Sequence, residues 1–119
     1  MDDGDLKRIG AELTAASAAL REAVDWVVAT FSGATRAAHA ASVPYLRLWG
    51  LVAGGWQLAR GARAAAAQLI EGGADADFYR GKIATARFYA DCLLPQAAAW
   101  SQAITNGSEA VLALADAQF

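Results

Sequence analysis

An all-α antiparallel bundle of three long helices and one short C-terminal helix is the fold class that three observations predict. Apolar residues recur at intervals of three and four along most of the chain, and no stretch alternates with the two-residue period of a strand. The breaks in the helical pattern fall at Gly33, Gly72-Gly73 and Asn106-Gly107. The first helix covers about residues 5–31, where Leu6, Ile9, Leu13, Ala16, Leu20, Val24, Val27 and Phe31 form one amphipathic stripe. Gly33 is its expected stop, because glycine accepts the left-handed conformation that closes many helices. The second helix covers about residues 43–71. Val43 precedes Pro44 and is biased away from helical angles, so this helix either begins at Ser42 with Pro44 in its first turn, or begins near Thr35 and kinks at Pro44. Asp75 or Asp77 is placed to cap a third helix over about residues 76–105. Pro95 removes a backbone donor and crowds the preceding turn, which predicts a bend around Leu94. Ser108 opens a short helix over about residues 109–115, and Phe119 is expected to fold its ring back onto the bundle.

The chain's 119 residues make one domain, 56% hydrophobic and 18% charged, far from a disordered composition. Alanine supplies roughly a quarter of it, which favours close helix packing. A net charge of -2 and the lack of any Lys/Arg cluster argue against nucleic acid as a partner. A single cysteine, Cys92, excludes an internal disulfide and is compatible with a reducing cytoplasm. The acidic start, Met-Asp-Asp-Gly-Asp, is unlike a signal or transit peptide. The longest uncharged apolar run, residues 48–59, is well short of the roughly 20 residues that span a bilayer.

Side-chain chemistry is sparse. There is no glycine-rich phosphate loop, His-Glu-x-x-His or serine elbow, and the single histidine, His39, leaves a metal only scattered carboxylates. Cys92 reads as a buried, inert thiol, since no cation adjoins it to favour the thiolate. No catalytic, cofactor-binding or metal-binding residue is therefore assigned.

The most unusual residue is Lys82. At about 100° per residue, Arg80, Arg87 and Asp91 gather on one side of the third helix, while Phe78, Ala86, Tyr89, Leu93 and Trp100 gather on the other, with Lys82 among them. A desolvated ammonium group is costly unless it is paired or its tip reaches water. Lys82, with Arg87, is accordingly a candidate for a structural ion pair, with Glu12 of the first helix one possible partner. On the second helix Gly50, Gly54 and Gly61 share a stripe. Each costs about 1 kcal/mol relative to alanine inside a helix, which suggests that another backbone approaches there. Trp49 and Trp56 flank that surface beside Arg60 and Arg63. Two readings stand: a docking surface rich in the residue types that dominate hot spots, or tryptophans stacked under arginine stems within the bundle. Trp26 lies on the polar side of the first helix, where an exposed indole suits a partner surface.

Two blocks resemble a known family. Tyr45-Leu46-Arg47-Leu48-Trp49-Gly50, continuing to Gly55-Trp56, is similar to its Tyr-Leu-x-x-x-Gly stretch. Asp77-Phe78-Tyr79, with Lys82-Ile83, Thr85-Ala86-Arg87-Phe88-Tyr89 and Leu93-Leu94-Pro95, is similar to its most specific segment. The family is the extra C-terminal helical domain of a branch of bacterial acyl-CoA dehydrogenases. The resemblance spans almost the whole chain and is weakest in the first helix. It implies that flavin, acyl thioester and catalytic base belong to preceding domains, so that this chain is no dehydrogenase by itself and holds no cofactor, FAD being expected only in the parent enzyme. It implies packing on an acyl-CoA dehydrogenase core or a neighbouring subunit, in the cytoplasm, with Trp26, Trp49, Gly50, Gly54, Trp56, Arg60 and Arg63 as interface candidates. The alternative is a stand-alone interaction module that self-associates through the glycine stripe.

Overall fold

A computed structural model describes residues 3–119. Its helices are α1 (Asp3–Phe31), α2 (Thr35–Ala40), α3 (Ser42–Glu71), α4 (Ala76–Cys92), α5 (Gln96–Asn106) and α6 (Ser108–Val111), followed by a 3-10 turn at Asp116–Gln118. No strand occurs among the described residues. The helices α1 and α3 are continuous rods, and α4 with α5 makes the third rod, packed along both. Arg8, near the start of α1, meets Asp91 at the end of α4, and Trp26, near the end of α1, lies near Thr105 at the end of α5. The α1 rod is thus parallel to α4–α5, with α3 antiparallel to both.

The core is built from small residues. Ala16, Ala23, Ala62, Ala65, Ala66, Ala86, Ala90 and Ala97 are buried together with Ile9, Leu48, Val52, Ile83, Leu94 and Ile104. Leu48 and Ile104 are the largest fully buried side chains. Alanine at the contacts lets the helices approach closely, and the result is a thin slab of 66 × 28 × 17 Å. Its radius of gyration is 18.7 Å, where a compact domain of this length has about 13–14 Å. Its accessible surface is 7673 Å², against about 6100 Å² for a compact monomer of this mass.

The ends of α1 and α3 fall where the pattern breaks, but the capping differs from the sequence expectation. No residue of the α1 end takes a left-handed angle at Gly33; the amide of Ala34 donates to the carbonyl of Thr30, and the Thr35 hydroxyl donates to that of Phe31. The chain then turns through the six-residue α2, and α3 starts afresh at Ser42, with Pro44 in its first turn, where a missing donor costs nothing. Gly72 ends α3 with φ of +77°, the one positive φ among the described residues. Asp75 occupies the N-cap position of α4 without a side-chain cap bond.

The expected third helix over 76–105 is two helices rather than one bent rod. The amide of Leu94 reaches back five residues to the Tyr89 carbonyl, Pro95 offers no donor, and the amides of Gln96 and Ala97 close tight turns onto Leu93 and Leu94. The Gln96 side-chain amide donates to the carbonyl of Cys92, 3.4 Å away, which the break leaves free. Towards the C-terminus, α6 has only four residues. Phe119 is 90% exposed rather than folded onto the bundle.

Candidate interdomain surface

Placement of the charged residues on α4 overturns the expectation for Lys82. Lys82 is exposed, and its ammonium lies 5.4 Å from the centre of the exposed Phe78 ring. It enters no ion pair among the described residues, and Glu12 pairs with Arg8 instead, at 3.0 Å. Phe78 is itself 61% exposed, and the buried face of α4 is defined by Ile83, Ala86 and Ala90. That face is centred away from Lys82, so the ammonium remains in water and needs no partner.

Arg87 is differently placed. Its Nε donates to Asp91 Oδ2 at 2.7 Å and its Nη1 to Asp5 Oδ1 at 2.8 Å. Asp91 also accepts from Arg8 Nε at 2.9 Å. The chain Glu12–Arg8–Asp91–Arg87–Asp5 ties the start of α1 to the end of α4. The guanidinium of Arg8, then that of Arg87, holds the Asp91 carboxyl below the usual aspartate range. Because the folded value is the lower one, this stabilisation is complete above the ordinary aspartate pKa of about 4, and is lost as pH falls through the depressed value. Asp91→Asn is expected to lower the urea midpoint at pH 7, with the gap to the parent narrowing as the pH is taken below about 4. A gap that stays constant down to strong acid would show that charge on Asp91 is not what stabilises the clasp.

The glycine stripe also differs from expectation. No backbone approaches Gly54; the Tyr89 ring lies across it, and a Cβ at Gly54 would stand 2.7 Å from the Tyr89 hydroxyl. That hydroxyl donates to the Leu51 carbonyl at 2.7 Å, and burial raises its pKa. Gly50 and Gly61 face open space. The stripe is therefore interrupted by an intrachain tyrosine. Gly55, one residue on, is the tighter contact, since a Cβ there would meet Leu94 Cδ2 at 2.7 Å.

The tryptophans divide into two groups. Trp26 is partly buried rather than exposed, and borders a depression of about 390 Å³ with Thr30, Ala37, Thr105, Asn106, Ser108 and Glu109. Trp100 is half-buried beneath the Arg47 guanidinium, 5.4 Å from the ring centre. Trp49 and Trp56 are exposed by 45% and 52%. Arg60 stacks over Trp56 at 5.0 Å, and Trp49 meets Tyr45 edge to face. Leu46, Trp49, Ala53, Trp56 and Arg60 follow one another at intervals of three and four, so they form one row on the exposed side of α3, with Trp49 at its edge towards Leu20, Arg21 and Asp25 of α1. Leu46, 73% exposed, was not singled out from sequence, although its spacing from Trp49 was available as a signal. Cys92, expected to be buried, is an exposed free thiol. No helix among the described residues is long and apolar enough to cross a membrane.

Residues 1–115 match the family described as acetyl-CoA dehydrogenase C-terminal like. The chain is also 41% identical over 106 residues to 3-methylmercaptopropionyl-CoA dehydrogenase of Ruegeria pomeroyi, an alignment covering 89% of this chain and 18% of that protein. The chain thus spans less than a fifth of the length of this curated relative. With an all-helical fold and a family match over nearly its whole length, the chain belongs to the acetyl-CoA dehydrogenase C-terminal-like family.

Proposed function

We propose that this chain is the non-catalytic accessory domain of an FAD-dependent acyl-CoA dehydrogenase, and that it packs on the dehydrogenase core, or on a neighbouring subunit, through the outer face of α3. The observation that carries this reading is the row of Leu46, Trp49 and Trp56, large apolar side chains left exposed on α3, whose opposite side is buried in the bundle through Leu48, Val52, Gly55 and Ala62. Contiguous exposed apolar surface of this kind marks an interaction site. The elongated slab supports it, since its accessible surface exceeds the compact expectation by more than the roughly 800 Å² each partner contributes to a standard interface.

In this reading flavin and acyl-CoA are held by preceding domains. Three depressions of the described surface fit a dinucleotide poorly: those beside Trp26 and beside Leu94 bring in Glu109 and Glu12 without a cation, and the one beside Trp49 is lined by a single cation, Arg21, together with Asp25. None offers the converging cations that a diphosphate requires. A cytoplasmic location belongs to the same proposal, and the exposed Cys92 thiol is suited to a reducing compartment. Self-association through the glycine stripe is the weaker reading, because Tyr89 occupies its central position.

A domain exchange tests the proposal. The region of the Ruegeria pomeroyi enzyme that aligns with this chain is deleted in one variant and replaced by this chain in another. The chimera is expected to be soluble and flavin-loaded with its α3 face protected from solvent, whereas the deletion loses assembly or flavin. A deletion variant that assembles and retains flavin as well as the chimera would refute the packing role.

A further inference from the structure

Charge on α3 is one-sided. The helix carries Arg47, Arg60 and Arg63, and its single acid is Glu71, its last residue. None of the three arginines meets a carboxylate among the described residues, whereas Arg8, Arg80 and Arg87 each do. Arg60 reaches only the Gln57 side-chain oxygen at 3.5 Å, and otherwise lies over the Trp56 ring. This geometry constrains any occupant of the face. A surface that covers the Trp56 indole also covers the guanidinium stacked on it, and an arginine taken out of water without a counter-charge is strongly disfavoured. The occupant must therefore bring carboxylates to Arg60 and Arg63.

Resting on the packing reading above, we infer that the outer face of α3 receives an acidic amphipathic helix of the dehydrogenase core, whose apolar side covers Leu46, Trp49 and Trp56 and whose carboxylates pair with Arg60 and Arg63. The occupant is a helix because Ala53, the small residue between Trp49 and Trp56 in the row, lets a second helix approach at an interaxial distance of about 8–10 Å. A second copy of α3 does not meet the requirement. Glu71 lies eight residues beyond Arg63, about 12 Å along the helix, so an α3–α3 pair centred on the indoles brings arginines without acids.

The test uses the full-length chimera described above. Arg60→Glu/Arg63→Glu is expected to weaken domain docking at least tenfold, read as increased hydrogen exchange on α3 and the core helix it covers, while the same substitutions leave the melting temperature of the isolated domain unchanged. In a second variant, Arg60→Lys/Arg63→Lys, zero-length carbodiimide coupling is expected to join the introduced amines to Asp or Glu of the core, read by mass spectrometry. Undiminished docking in the Glu variant, or coupling only to Glu71 of another copy, would overturn the acidic-helix assignment. An α3 face unprotected even in the unsubstituted chimera would instead refute the packing reading, and this inference with it.

Discussion

Leu48→Ala is expected to lower the stability of the isolated domain by about 3–4 kcal/mol, the upper part of the range for buried leucines. Leu48 has no exposed surface, and it is one of two large side chains sealed in a core otherwise filled mainly by alanine. The cost of truncation depends on how far the surroundings close the gap, and alanine has no rotamer with which to do so. Leucine's neighbours in a mixed core often rotate inward, but with nine of the fifteen buried core residues alanine, few side chains here can do so. Urea denaturation at neutral pH measures the change, with the m-value checking that the unfolded reference is unaltered. A loss below about 1.5 kcal/mol would show that α1, α3 and α5 slide together easily, and that the alanine contacts are less close-packed than described.

Gly55→Leu is expected to be the next most damaging substitution, through excess rather than lack of volume. Replacing a helix-interior glycine ordinarily gains up to about 1 kcal/mol from propensity alone. At Gly55 that gain is outweighed, because even a Cβ would stand 2.7 Å from Leu94 Cδ2 and 3.1 Å from its Cδ1. Leu94 is buried and lies in the break between α4 and α5, so it cannot withdraw without disturbing the turns closed by Gln96 and Ala97. Overpacking of this kind costs about 1–3 kcal/mol or more, leaving a net loss of about 2 kcal/mol. Gly61→Ala is the control, since open space surrounds Gly61 and the same propensity argument predicts a gain of up to about 1 kcal/mol. Thermal denaturation of both variants decides the matter, and equal shifts in one direction would mean that the Gly55–Leu94 contact carries no weight.

The parts of the fold that were legible were those governed by periodicity. The stripe from Leu6 to Val27 packs against the core in α1, while Phe31 at its end is exposed, and the ends of α3 and α5 fall at the glycines where the pattern stops. The proline break was legible in position but not in extent, since the chain there also packs against a distant segment, Leu94 seating against Gly55 thirty-nine residues away. Lys82 was misplaced for a related reason. The bulky Phe78 was counted as core and pulled the apparent centre of the face towards the lysine, whereas Ile83, Ala86 and Ala90 define the true one. Size on a helical wheel is a poor guide where alanines do the packing. For the candidate surface, Trp49, Trp56 and Arg60 could be named from sequence, but their exposure could not. Trp26 had the same outward-facing signature, and it is partly covered because the chain returns beside it at Thr105 and Ser108. The i,i+4 pairs Arg8–Glu12 and Arg87–Asp91 were visible locally; the bonds of Arg8 to Asp91 and of Arg87 to Asp5 join them across more than eighty residues.

The break between α4 and α5 has a mechanical consequence. It falls beside the middle of two uninterrupted rods, with Gly55 of α3 on one side and Ala16 of α1 bordering the other. Those rods span about 45 Å each and cross the discontinuity like splints. A joint braced in this way cannot flex without bending both neighbours. The domain is therefore braced at this discontinuity, and bending there is opposed by two intact helices.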